Sequence, residues 1–226
     1  MTVPPVTLTA APDNGVWRLG WADDPIMYNQ LEPETFDGSS AGRFSLFSYG
    51  MLYCASAPAG CYAEALAPFR LSDKVRELMA GAPSGPGQMA LRDIASSWRD
   101  RRILVRLVPR YEALFLDVET EETRAELARD LRGELRAFGV EGPLTDEHIR
   151  GKDRRITRQI AAWAVAQRNE AGHQLVQGIT YRSSYGGRRC WAILRDTELK
   201  EVEWRPIQVE DPALREVALE YGLTIR

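Results

Sequence analysis

The order of strand-like and helix-like runs narrows the folds open to this chain more than any other feature, because it follows no regular β-α alternation. Arg43–Phe47 alternates in polarity and Met51–Ala55 is a short apolar run between Gly50 and Pro58, so both predict strands. Residues 60–67 hold good helix formers and stop at Pro68, which predicts a short helix carrying Glu64 directly after a strand. Ser72–Met79 predicts two helical turns, and the Gly/Pro-rich residues 81–87 predict a loop. Residues 103–108 and 113–118 are β-rich and joined by a Pro-containing link, predicting a hairpin or two neighbouring strands. Leu127, Leu131, Leu135 and Phe138 recur at helical spacing before Gly139, and a second helix is read from Ile156, Ile160, Trp163 and Ala164. Three late strands (176–181, 190–194, 202–208) precede a terminal helix with Asp211 as cap, Pro212 at its first position and Gly222 at its end. With no internal repeat, the expected fold is α+β: one compact mixed sheet with flanking helices.

The first forty residues, rich in Pro, Asp, Gly and Thr with scattered aromatics, read as an irregular N-terminal arm packing on a single domain formed by residues 41–226. At 226 residues with 44% hydrophobic content the chain is long enough to bury a core of that size.

Composition removes several function classes. Lys+Arg 29 against Asp+Glu 32 leaves a charge of −3, so nucleic acid is not expected as a direct partner. Two histidines and three cysteines without C-x-x-C spacing support neither a zinc site nor a disulfide framework, so no metal is expected and a reducing cytoplasm fits. No apolar run reaches the roughly 18 to 20 residues needed to cross a bilayer, so no membrane association is expected. There is no P-loop and no dinucleotide-binding G-x-G-x-x-G. Gly38–Gly42 spells G-x-S-x-G but precedes a predicted strand instead of following one, which reads as a flexible turn and not a nucleophile elbow. The basic run at 150–158 reads as the solvated lead-in to a helix, with phosphate or nucleic-acid contact the less favoured alternative.

What remains is a set of polar residues at the ends of predicted strands: Arg43, Tyr53, Glu64 and Tyr181–Tyr185. Their surroundings, Gly42-Arg43-Phe44-Ser45, Tyr49–Ala55 with Ala63-Glu64-Ala65-Leu66, Thr157–Ala161, Gln177–Ser184 and Cys190–Ile193, occur in an order that resembles the RES domain family over roughly residues 40 to 195. The family is named for an Arg, a Glu and a Ser. The resemblance implies the toxin of a bacterial toxin–antitoxin system that degrades NAD+ by hydrolysis or phosphorolysis, with a fold similar to ADP-ribosyltransferase toxins. It also implies a cognate helix-turn-helix (Xre-type) antitoxin as partner, and a homodimer or toxin–antitoxin hetero-oligomer as assembly. NAD+ would then be substrate and not cofactor, with inorganic phosphate an optional co-substrate.

Breaking the nicotinamide–ribose bond develops positive charge on the ribose while a neutral base leaves, so a carboxylate near the cation and cations near the diphosphate suffice without histidine. On that reading Arg43, Glu64 and Ser183 carry the reaction: Glu64 stabilises the ribosyl cation, Arg43 presents a planar fork to phosphate, and Ser183 fixes the amide or ribose. Tyr53, Tyr181 and Ser184 bind substrate. The doubled Ser183-Ser184 offers two serines, and the spacing Tyr, one residue, Ser selects Ser183. Tyr181 and Ser183 share a strand face with Arg182 on the other, while Gln159 is expected to support packing. Two alternatives stay open: transfer of ADP-ribose to a macromolecule, and a non-catalytic nucleotide-binding module.

Overall fold

The computed structural model describes residues 5–31, 42–47, 49–79, 92–110 and 112–226. Its elements run β1 (Leu8–Ala10), β2 (Val16–Trp21), β3 (Met51–Ala55), α1 (Pro58–Leu66), α2 (Asp73–Met79), β4 (Asp93–Ile94), α3 (Ser96–Asp100), β5 (Arg102–Pro109) and β6 (Leu114–Asp117). Then follow α4 (Glu121–Asp130), α5 (Arg132–Ala137), α6 (Asp146–Arg150), α7 (Arg154–Ala166), β7 (Gly178–Arg182), β8 (Arg189–Leu194), β9 (Leu199–Pro206), α8 (Pro212–Tyr221) and β10 (Thr224–Ile225). Eight strands form one sheet in the order β1-β6-β7-β8-β3-β2-β5-β9, and β4 pairs with β10 in a small second one. Within the large sheet β6–β7 is parallel and the other neighbours are antiparallel. This is the α+β architecture expected.

Strand alternation divides the core in two. Trp17, Ala55, Leu104, Cys190 and Ala192 point to the face where α1, α4, α7 and α8 bury Leu66, Leu127, Ile160 and Leu214. Val16, Cys54, Leu107, Phe115 and Trp191 form a smaller cluster on the opposite face, backed by the irregular segment carrying Ile26 and Tyr28.

The N-terminal arm needs correction. β2 is an interior strand: six of its residues pair with β5 and Trp17 pairs with Ala55 of β3. Its Trp17, Leu19 and Trp21 alternate with Arg18 and Gly20, a strand pattern that the surrounding Pro, Asp and Gly residues obscured. Residues 38–41 and 81–87 lie outside the described residues. A strand over 43–47 does not form either: Arg43 and Phe44 sit in a turn, and only Leu46 and Phe47 make isolated bridges. There the Phe44 N–H is satisfied by the Tyr53 hydroxyl at 2.8 Å, and the Ser45 N–H by the Gly42 carbonyl at 3.2 Å, so no ladder is needed.

β5 and β6 are not neighbours, because β5 is taken by β2 and β9 while β6 lies between β1 and β7. The helix expected around Leu127–Phe138 is two, α4 beginning earlier at its Thr120 cap and α5 following a break at Leu131. The terminal helix forms as read, with the Asp211 side chain capping and Gly222 in the left-handed conformation.

Candidate active site

β2 and β3 pair at one position and then diverge. Arg18, one residue beyond that pair, donates from Nη1 to the Tyr53 carbonyl at 3.1 Å and from Nη2 to the Met27 carbonyl at 3.4 Å. A cleft of about 660 Å³ opens beside them, a size that suits a small-molecule or nucleotide ligand. Arg43, Tyr53, Glu64, Tyr181 and Ser184 all line it. Residues spread over more than 140 positions of sequence therefore converge on one hollow.

Glu64 is held by α1, whose Pro58 occupies the first turn and whose other face buries Tyr62, Ala63 and Leu66. The carboxylate is exposed, but into the cleft, and its Oε1 accepts a 2.5 Å hydrogen bond from Ser183 Oγ. The Tyr185 N–H donates to the same Ser183 oxygen at 2.9 Å, which leaves the serine proton directed at Glu64. Ser183 itself is 2% exposed and does not line the cleft. The serine expected to contact amide or ribose thus lies behind the cleft wall, with its hydroxyl bonded to Glu64. Ser184 faces the cleft, accepting from Arg43 Nη2 at 2.8 Å and donating to the Arg150 carbonyl at 3.3 Å. Glu64 Oε2 accepts no hydrogen bond among the described residues, and Glu64 is the one carboxylate among them that lines the cleft.

Arg43 is fixed from three sides. Its Nη1 donates to the Ile149 carbonyl at 2.5 Å, its Nη2 to Ser184, and its own carbonyl accepts from Thr157 Oγ1 at 2.6 Å. Burial first, and then the charge of Arg154, lowers its pKa from the usual arginine value. Each Nη keeps one further N–H, so part of the fork remains for an anion. The turn that carries Arg43 rests on Tyr53: the phenol accepts from Phe44 N and lies 3.1 Å from Ser45 Oγ, and the ring packs so closely on Gly42 that a Cβ there would sit 2.2 Å from it. Burial pushes the Tyr53 phenol up from 10.0 to about 12, so it stays protonated. Its hydroxyl therefore supports the turn that carries Arg43, and the residue lines the cleft. Tyr181 is buried, its ring 5.1 Å from that of Phe44 and 6.0 Å from the Arg43 guanidinium carbon.

Three features of the cleft escaped the sequence reading. Arg18 belongs to the segment read as an arm. Asn29 of the same segment also lines the wall, beside Tyr185 of the candidate set. The basic run is not only a solvated lead-in: Arg150 at the end of α6, Lys152 in the link and Arg154 at the start of α7 line the cleft. The spacing of that run ahead of a helix was visible, but the direction of each side chain was not. Arg182 is exposed, Gln159 does not line the cleft, and Cys190 and Trp191 are buried, Cys190 forming part of the cleft wall.

Among the described residues the cleft thus presents five cationic side chains and one carboxylate, in a protein whose net charge is −3. That polarity selects a ligand with anionic groups and one point at which a carboxylate is useful. Among the described residues no group of His, Cys, Asp and Glu is arranged to hold a metal, and no helix is long and apolar enough to cross a membrane.

The family model described as the RES domain matches residues 15–215. No curated protein matches the sequence. Among solved structures, the M. tuberculosis MbcT-MbcA toxin-antitoxin complex contains a chain similar to this one, with a TM-score of 0.49 and 13% identity, covering 95% of this chain and 91% of that one.

Proposed function

Since the chain belongs to the RES domain family, we propose that it is the toxin of a toxin–antitoxin pair and an enzyme that consumes NAD+ by cleaving the nicotinamide–ribose bond. The observation that carries this reading is the pairing of one carboxylate, Glu64, with a cationic wall in a single cleft.

As the glycosidic bond lengthens, positive charge grows on the ribose and nicotinamide departs neutral. A carboxylate beside the sugar stabilises that charge more in the transition state than in the ground state, which is the condition for catalysis. Glu64 supplies it, with Oε1 held by Ser183 and Oε2 left for the ribose or its hydroxyls. The neutral leaving group needs little acid help, and the site accordingly offers no histidine. Arg43, already oriented by Ile149 and Ser184, meets a substrate phosphate with its remaining N–H groups, and the Tyr53 and Tyr181 rings give flat surfaces for the base. The acceptor of the ribosyl group is water or inorganic phosphate. The partner is an antitoxin of the helix-turn-helix type, as the family resemblance implies.

The test is incubation of the purified protein with NAD+ in phosphate and in phosphate-free buffer, following nicotinamide release. ADP-ribose is the product of hydrolysis and ADP-ribose-1″-phosphate that of phosphorolysis. Mass added to a co-incubated macromolecule would replace the reading by transfer, and no loss of NAD+ in either buffer would overturn it.

A further inference from the structure

The basic run 150–158 splits into two groups once its charges are matched. Arg150 is compensated by Glu119 and by Asp146, the latter at 3.1 Å. Arg155 is held by Asp153, from Nε at 3.0 Å and from Nη2 at 2.6 Å, and the same carboxylate caps α7 through the Arg155 N–H. Asp153 is therefore consumed on the outer side of the helix start. Lys152 and Arg154 make no ion pair among the described residues, and both line the cleft together with Arg43. Arg154 is near enough for its charge to disfavour the protonated form of Arg43. Glu64, the one carboxylate among the described residues that line this hollow, cannot balance three crowded cations, and an anion with more than one charge relieves their mutual repulsion at every contact.

We infer that Lys152, Arg154 and Arg43 form a subsite for the diphosphate of a dinucleotide, at the α7 end of the cleft. The inference rests on the reading of NAD+ as substrate only for the identity of the whole ligand; the subsite itself requires a diphosphate. It assigns binding work to Lys152 and Arg154 and none to Arg155, although these residues are adjacent in sequence and alike in charge. Bulk electrostatics would not distinguish Arg154 from Arg155.

The experiment uses the full chain and inorganic pyrophosphate as probe, with binding followed by calorimetry and by the rise in melting temperature, and adenosine as the uncharged control. Pyrophosphate is expected to bind and adenosine alone not to. Arg154→Gln and Lys152→Gln should each weaken pyrophosphate binding by roughly tenfold or more, while Arg155→Gln leaves it unchanged. Equal losses in Arg154→Gln and Arg155→Gln, or no loss in either, overturn the subsite. Should Arg154→Gln fold poorly, Lys152→Gln, at an exposed position, carries the test. A short oligonucleotide bound more tightly than pyrophosphate through the same residues would also overturn it, in favour of a nucleic-acid surface. Pyrophosphate binding with the expected variant pattern but no NAD+ cleavage would uphold the subsite and overturn the proposed reaction. NAD+ cleavage with KM unchanged in Arg154→Gln and Lys152→Gln would do the reverse.

Discussion

Ser183 and Glu64, 119 residues apart in sequence, share a 2.5 Å hydrogen bond in which a buried serine fixes a carboxylate that faces the cleft. The end of β7 and the second turn of α1 are thereby joined at the site. In the proposed reaction that bond makes Ser183 a positioning residue, which sets the direction of Glu64 from behind the cleft wall.

Ser183→Ala should therefore lower kcat for nicotinamide release by about 10- to 100-fold, the worth of a hydrogen bond to a charged group, with KM little changed. Glu64→Gln should lower it further while the protein still melts cooperatively. Undiminished turnover in Glu64→Gln would remove the role given to the carboxylate, and a rise in KM alone in Ser183→Ala would place the serine against substrate.

Tyr53→Phe tests the support of Arg43. It deletes the acceptor of the Phe44 N–H, and an unpaired part-buried donor costs about 1–3 kcal/mol. Gly42→Ala should be at least as damaging, since its Cβ would collide with the Tyr53 ring. A lowered urea midpoint is expected in both, and an unaltered one in both would show that the turn carrying Arg43 does not depend on this packing.

Trp17→Ala distinguishes an appended arm from an interior strand. The indole is buried among Arg106 and Arg205, whose guanidinium carbons lie 5.7 and 4.9 Å from its ring. Removing it should cost about 3–5 kcal/mol. A change in urea midpoint confined to a small fraction of that would restore the arm reading.

Stability should fall as pH rises above about 9. Burial pushes the Cys61 thiol from 9.0 and the Tyr53, Tyr49 and Tyr221 phenols from 10.0 to about 12, and raises Cys54, Cys190 and Tyr62 as well. These groups are neutral when protonated. Below the unfolded values both states hold the protons and the stabilisation is complete; between those values and about 12 the unfolded chain loses protons that the folded chain keeps, so unfolding gains ground. Urea midpoints at pH 7, 9 and 10.5 should decline in that order, and a flat series would contradict the burial of these side chains. The same burial predicts that a thiol reagent labels the three cysteines only as the protein unfolds.

Much of the local structure was legible in the chain because it depends on neighbours in sequence. The Asp211-Pro212…Gly222 helix has its own caps, α7 its own apolar stripe, and Met51–Ala55 followed by Pro58 dictates a strand and then a helix that carries Glu64. Arg43, Tyr53, Glu64, Tyr181 and the serine pair were all named from sequence, and all meet at one cleft or directly behind it. The separate duties of Ser183 and Ser184 were not legible: they depend on which hydroxyl is shielded, and adjacent residues at a strand end diverge in direction only once α1 and α6 are packed around them.

The amino-acid order alone therefore determined the α+β class, most of the elements and the residue types able to hold an anion and a developing cation. Tertiary structure decided that β2 threads between β3 and β5, and that Arg18, Lys152 and Arg154 join the site while Arg155 is neutralised outside it. The physical reason is range. Capping, turn chemistry and periodicity act over a few residues, whereas strand pairing and charge compensation are settled between groups remote in sequence, each competing for partners that only the assembled fold brings within reach.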